Sequence, residues 1–503
     1  MMWIALHLPD LSLQVATRGL LPQIPVVITE AAGNRTLIRA ANPVARKAGI
    51  RPGMTAAAAR AYAEELVLLP RAPAKEREAL EKIALCALRY TPNASIVRDG
   101  IALDVTASLT LFGGLGKLCG ALRQDLRALG YQAMLGVAPA PLAAELFALA
   151  HAGNLEARAC MTPEQLPERL RPLPASLLPW DEATLATLAT LGLCTLGQLF
   201  DAPRDGLLRR FGFACVEDLD RMRGALPDPR VPQTLPQHFR SLFDFAAEID
   251  DLAICLTAIE RLLHEAQGFL AARGAASTTI ELTLRHGRQF VTRHAIGSSL
   301  PQRDARQWLL LTREQLQRAP LPGPVTAIEL AIESLCEYVP PPNGLPGWLP
   351  DPRAQAEDRL RLIDRLAARL GRERVSTIGV RADHRPEEAW TSAVVSDGDA
   401  SARNVKAGSR TTAASSPTTA AHARPRPAWL LDRPRALITR DEQPAHHGPL
   451  TMLAGPERIQ SGWWDNKPVD RDYFVARNPL GETCWIYREL DTAKRWYLHG
   501  VFG

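Results

Sequence analysis

Apolar positions along the N-terminal third change period several times. Residues 3–8 and 25–29 form short apolar runs, as buried strands do. TLIRAANPVARKAGIRPGM (36–54) passes from a strand into a helix that ends at Gly49, and Pro52-Gly53 marks a turn. Helical spacing follows over 55–65 and 74–90. Alternation at Ile101, Leu103 and Val105 predicts a strand, LFGG (111–114) a turn, 116–129 a helix, 132–138 a strand and 141–152 a helix. Strands alternating with helices predict an α/β or α+β domain over roughly 1–165.

From 174 to 225 the pattern is helical throughout. LATLATLGLCTLGQLFDAPRDGLLRRFG (185–212) holds two short helices around Gly192, with Thr195 placed to cap the second. This spacing resembles a helix-hairpin-helix, whose tight turn offers backbone N–H groups to a phosphate, and Arg209 and Arg210 follow on the next helix. Alternation returns in TIELTLR (279–285) and TAIELAIE (326–333), with a helix over 302–316 between them: a small α+β domain with a partly exposed sheet. The prolines of 340–352 forbid regular structure and predict a linker. An amphipathic helix over 357–371 follows, then a stretch over 392–427 with almost no large apolar residue, which predicts disorder. Four of the ten tryptophans lie between 463 and 496, so the tail is too aromatic to stay unfolded and is read as a small β unit.

Composition narrows the class. A chain of 503 residues, 46% hydrophobic and 22% charged, suits several globular domains. No apolar run reaches the roughly 18–20 residues that cross a bilayer, and the N-terminus lacks a basic n-region, so neither a membrane partner nor a signal peptide is expected. Eight cysteines without a CxxC pair argue against disulfides and structural zinc and fit a reducing cytoplasm. The net charge of +5 is unevenly placed: 261–320 carries nine Arg, no Lys and four acids. Basic charge confined to one domain suits a polyanion, although an ordinary solvated face has the same composition.

In NASIVRDGIALDVT (93–106) two carboxylates, Asp99 and Asp104, lie in an aliphatic run. Five positions apart in one strand they would point to opposite faces and could not share an ion. Around them, RAANPVARKAGIRPGM (39–54), the strand and turn at 101–114, LGVAPAPLAAELFA (135–148), the helix-hairpin-helix and the basic α+β domain follow in an order that resembles the Y-family translesion DNA polymerases over roughly 1–340. The resemblance implies a multidomain α+β fold: palm and fingers (1–165), a helix-hairpin-helix thumb (166–235), a little finger that binds DNA (236–340), a linker with a clamp-binding peptide and an amphipathic helix (341–391), a disordered linker (392–427) and an aromatic-rich partner-binding domain (428–503).

The family's polymerases bind two divalent metals through one Asp of the first strand and an Asp-Glu pair of a later one. Set against WIALHLPDLSLQ, the first Asp falls on His7 or Leu8, depending on the register; Asp10 lies beyond the strand and is expected to cap the next helix. The later pair falls on Asp99 and Gly100. Asp99 is thus a remnant, and no catalytic residue, metal or cofactor is expected. Arg46 matches the family's triphosphate-binding Arg, whereas Glu145 stands where a Lys is expected and would repel a triphosphate. The resemblance assigns DNA contacts to Gly192, Thr195, Arg209, Arg210, Arg285, Arg288 and Arg293.

The tail from 456 to 503 resembles that of the inactive, ImuB-type members of the family. They imply a non-catalytic hub of SOS mutagenesis, cytoplasmic and nucleoid-associated. Its partners would be primed or damaged DNA, the β sliding clamp, a RecA-like protein called ImuA and an error-prone polymerase of the replicative α-subunit type. NGLPGWLP (343–350) offers Leu345, Trp348 and Leu349 to the clamp without the Gln of the usual motif. Trp463, Trp464, Tyr473, Trp485 and Trp496 are expected to bind partners, as clustered aromatics do at interface hot spots. Two rivals to the adaptor reading stay open: an active polymerase that uses Asp10 and Asp99, and an interaction module that no longer touches DNA.

Overall fold

The computed structural model describes residues 1–17, 24–150, 158–287, 290–318, 320–340, 352–394, 426–440, 443–465, 467–490 and 494–502. The chain divides into two compact units, Met1–Arg369 and Leu370–Gly503.

The first unit begins with β1 (Trp3–His7), α1 (Leu11–Ala16), β2 (Val26–Ala32), β3 (Arg35–Ala41), α2 (Pro43–Lys47), α3 (Ala56–Arg60), β4 (Val67–Pro70), α4 (Pro73–Ala87), β5 (Ala94–Val97), β6 (Gly100–Asp104), α5 (Leu115–Ala128), β7 (Met134–Ala138) and α6 (Pro141–Leu149). β5-β6-β1-β7 form an antiparallel sheet, and β3-β2-β4 a smaller one. Alternation along β1 sends Ile4, Leu6 and Leu8 into a core shared with α4 and α5. Trp3 and Ala5 turn to the other face, where Ala102, Ala138 and α6 meet them. Beside Trp3 the residues of that face are small where α6 lies close: a Cβ on Gly136 would stand 2.1 Å from the Ala144 carbonyl oxygen.

The expected strand through 93–106 is instead a hairpin. β5 and β6 pair Val97 with Gly100, and Arg98 takes a positive φ of 38° in the turn beside Asp99. Opposite faces of one strand are therefore not what separates Asp99 from Asp104. Asp99 sits in the turn; Asp104 ends β6, where its carboxylate accepts hydrogen bonds from the Thr106 amide and hydroxyl.

The helical region comprises α7 (Leu166–Leu170), α8 (Glu182–Thr190), α9 (Leu196–Asp201), α10 (Arg204–Phe211) and α11 (Phe213–Met222), packed on the α6 face of the sheet. A connecting segment then crosses the palm edge, where the Gln233 amide donates to the Ala94 carbonyl. The basic domain holds β8 (Phe239–Ile249), α12 (Leu252–Ala272), β9 (Ala275–His286), β10 (Phe290–Gln302), α13 (Ala305–Gln317), β11 (Val325–Ile332) and β12 (Cys336–Glu337), with sheet order β10-β9-β11-β8 and β12 on β9. α12 also packs on α4, close enough that a Cβ on Gly268 would meet the Cys86 Cα at 2.9 Å.

The helix expected within a linker is α14 (Pro352–Leu370), and it docks on the basic domain. Asp364 accepts from the Ser299 amide, at 2.8 Å, and from the Ser299 hydroxyl, while Arg365 pairs with Glu314 at 2.8 Å.

The second unit carries a hairpin of β13 (Ser376–Val380) and β14 (Trp390–Val394), then β15 (Trp429–Ala436), β16 (Ile438–Arg440), β17 (Gln443–Ala445), β18 (Thr451–Ser461), β19 (Val469–Arg477), β20 (Thr483–Glu489) and β21 (Trp496–Val501). Five of these strands form an antiparallel sheet in the order β15-β21-β20-β19-β18. Buried Arg385, from the first hairpin, pairs with Asp383 at 2.8 Å and Asp465 at 2.6 Å, so residues 376–394 belong to this unit and are no linker.

Candidate functional site: a palm cavity and its surroundings

The C-terminal end of β1 meets the β5–β6 turn. Ala5, His7, Arg98, Asp99, Gly100 and Glu145 help to line a cavity of about 100 Å³ there. His7 pairs with Gly100 and borders the cavity, whereas Leu8 is buried in the core on the opposite face. Asp99 is exposed at the rim, and its carbonyl accepts from the Leu8 amide at 3.1 Å. Gly100 is buried against β1, so that a Cβ there would stand 2.1 Å from the Leu6 carbonyl oxygen. A side chain at position 100 therefore needs β1 to move.

Glu145 does not face an open triphosphate position. It is buried on α6, 2.8 Å from the Arg230 guanidinium and 3.7 Å from that of Arg98, and Arg230 also pairs with Asp228. Burial pushes its carboxyl upward, and Arg230 and then Arg98 pull it down. The expected repulsion of a triphosphate is thus replaced by an internal ion pair that fastens the connecting segment to the palm. Asp10 differs from expectation as well. No side-chain cap closes α1; its carboxylate instead accepts from Arg46 Nη2 at 2.7 Å, while Arg46 Nε donates to the Ala41 carbonyl. The residue matched to triphosphate binding is held by the chain's own acid.

The helix-hairpin-helix turn forms as read, with Gly192 at φ 74° and Thr195 in a reciprocal capping box with Gln198. Its amides, however, are engaged internally. Gln198 Oε1 accepts from the Cys194 and Thr195 amides, the Leu173 carbonyl from Leu196, and the Arg171 carbonyl from Gly197. A phosphate cradle built on Gly192 and Thr195 is therefore already filled. Arg209 and Arg210 stand exposed in the last turn of α10, and among the described residues neither meets a carboxylate.

On the open face of the basic sheet the strand register aligns Arg240, Arg285 and Arg293 with Asp244, Glu281 and Glu329. The face carries no excess charge. Arg285 pairs with Glu329 at 2.9 Å, and Arg240 approaches the same acid at 3.4 Å. Arg293 is exposed on β10. Arg288, Leu345, Trp348 and Leu349 lie outside the described residues.

The five tail aromatics expected to bind partners divide. Tyr473, Trp485 and Trp496 are buried within the sheet, at 1%, 2% and 8% exposure, so they build its core and offer no surface. Trp463 and Trp464 stand out at 79% and 56%, with their rings edge to face. The sequence signal was aromatic density, which does not separate core from surface. Their turn is anchored by Arg385, which binds Asp465 and the Lys467 carbonyl beneath it and lies 5.7 Å from the Trp464 ring.

The family model "impB/mucB/samB family" matches residues 11–148. The chain is 29% identical to protein ImuB of Caulobacter vibrioides over 475 residues, 90% of this chain and the whole of that protein. It is 31% identical to DNA polymerase IV of Yersinia pseudotuberculosis over 248 residues, 49% of this chain and 70% of that one. Among solved structures, an insertion ternary complex of Dbh DNA polymerase aligns at a TM-score of 0.39 and 18% identity, covering 67% of this chain and all of that one.

Proposed function

We propose that this chain, which belongs to the impB/mucB/samB family of UmuC/DinB-like proteins, is a DNA-binding adaptor that recruits an error-prone polymerase instead of acting as one. The observation that carries this reading is the junction of β1 with the β5–β6 turn. Magnesium is a hard cation that takes oxygen ligands in near-octahedral geometry, and a two-metal centre needs several carboxylates converging on it. Here position 7 offers an imidazole, position 100 offers no side chain, and of the two acids that line the cavity Glu145 is paired with Arg230, which leaves Asp99. Arg46, tied to Asp10, and Glu145, tied to Arg230, are engaged with internal partners.

The adaptor role places DNA against the exposed arginines of the helical region. In the second unit, Trp463 and Trp464, exposed beside the Arg385–Asp465 ion pair, form the surface for a protein partner. By likeness to ImuB, the partners in this reading are a catalytic error-prone polymerase of the α-subunit type, a RecA-like ImuA and the β clamp. The setting is damage-induced translesion synthesis in the cytoplasm, on the nucleoid.

Primer extension by the purified chain with magnesium or manganese tests the reading. The expected result is no incorporation, unchanged by Asp99→Ala. Incorporation that Asp99→Ala abolishes would overturn it and establish the rival, a polymerase with a reduced metal site.

A further inference from the structure

At the end of the C-terminal sheet, two turns press together. One is the turn after β17, which carries His446, His447 and Gly448; the other joins β19 to β20 and carries Asn478 through Glu482. A Cβ on Gly448 would meet the Pro479 ring at 2.7 Å, so the two turns are in close contact. Within this contact, one nitrogen from each imidazole and one carboxylate oxygen of Glu482 all lie within 4.8 Å of one another.

Consecutive residues in extended chain point their side chains in opposite directions. His446 and His447 do not: His447 takes φ 52°, the left-handed conformation that non-glycine residues rarely adopt. That twist brings the two rings to 4.3 Å between centroids, on the side where Glu482 stands. Two imidazoles so close repel each other once protonated, and among the described residues no nitrogen of either ring has a hydrogen bond to account for the arrangement. The carboxylate is oriented in turn. Asn478 Nδ2 donates to Glu482 Oε2 at 2.6 Å, Asn478 Oδ1 accepts from the Glu482 amide, and Asn478 is itself buried. A buried amide that holds a ligating carboxylate is the kind of outer-shell support metal sites use.

We propose that His446, His447 and Glu482 bind one divalent transition-metal ion of the zinc type, through two imidazole nitrogens and one carboxylate oxygen. Bonds of about 2.0–2.1 Å in a tetrahedron set ligand atoms about 3.4 Å apart, within reach of small side-chain rotations from the present spacing. Two neutral nitrogen donors favour zinc, nickel or copper over magnesium or calcium, which prefer oxygen. Three protein ligands leave a fourth position for water or for a partner's side chain. The ion would tie the β17 turn to the β19–β20 turn, beside the small core of Leu450, Ala476 and Cys484. This inference is independent of the adaptor reading, because none of these residues belongs to the palm.

Isothermal titration of the metal-stripped full-length chain with zinc chloride, alongside His446→Ala, Glu482→Gln and His447→Gly, tests it. The glycine variant keeps the left-handed backbone while removing the ligand. The expected result is one tight site per chain in the parent and at least tenfold weaker binding in each variant. Cobalt loading should give visible absorption bands of a nitrogen/oxygen tetrahedral site in the parent and lose them in all three. Thermal unfolding of the metal-free variants, unchanged from the metal-free parent, separates ligand loss from misfolding. Zinc bound equally by parent and variants, or no tight site in the parent, overturns the proposal.

Discussion

Single positions decide what the palm can do. Gly100 stands where the resemblance implies a carboxylate, and the backbone adds that a Cβ there would lie 2.1 Å from the Leu6 carbonyl oxygen. Gly100→Ala should therefore destabilise the chain by about 1–3 kcal/mol, the usual cost of overpacking, measured as a lower urea midpoint. Putting Asp at 7 and Glu at 100 together should not restore primer extension. His499 gives a second test at this scale. It is buried, bonded to the Tyr473 hydroxyl at 2.9 Å, and burial lowers its pKa from 6.5 to about 4, against the pull of Glu387. As pH falls below 6.5 the unfolded chain takes up a proton that the folded chain refuses, so stability falls until about pH 4. Between pH 7 and 5 the loss due to this group is about 2 kcal/mol. Urea titrations of the parent and His499→Gln at both pH values should show that increment in the parent alone.

Elements were legible where one face is buried and one is wet. β9 and β11 alternate cleanly, α13 and α14 are amphipathic, and all four were read from the sequence. α12, the longest helix described, was not. It packs on its own sheet and on α4, so apolar residues wrap most of its circumference and blur the period. The β5–β6 hairpin was missed because Arg98-Asp99 holds none of the usual turn glycine or asparagine; a positive φ at Arg98 does that work. The α4–α12 contact makes a paired prediction. Gly268→Ala pushes a methyl into the Cys86 backbone and should cost about 1–3 kcal/mol. Gly120→Ala, exposed in α5 with nothing within 4 Å, should add about 1 kcal/mol through helix propensity alone. Chemical denaturation of both variants compares the two signs directly.

Across the whole molecule, where the charge lies matters more than how much there is. The excess of arginine over 261–320 pointed to the basic sheet as the DNA surface, and a linear count has no way to register cross-strand pairing. Folding sets three acids beside three arginines on that open face, while the helix-hairpin-helix spends its turn amides on Gln198 and on nearby carbonyls. Arg285 already has Glu329 as a partner, so a phosphate must compete with an ion pair formed in the free protein. Arg209 and Arg210 have no such competitor among the described residues and stand in solvent. Each phosphate contact releases about 0.9 counterion from duplex DNA, so the slope of log affinity against log salt counts them. Fluorescence anisotropy on primed DNA over a range of salt should give a shallower slope, by about 2, for the Arg209→Ala/Arg210→Ala double variant. Arg285→Ala should leave both slope and affinity within about twofold of the parent, because removing it frees Glu329 without losing a phosphate contact. The opposite ranking would move the DNA to the sheet and require the Arg285–Glu329 pair to open on binding. No salt dependence in the parent would remove DNA from the proposed function and leave Trp463 and Trp464 as the working surface.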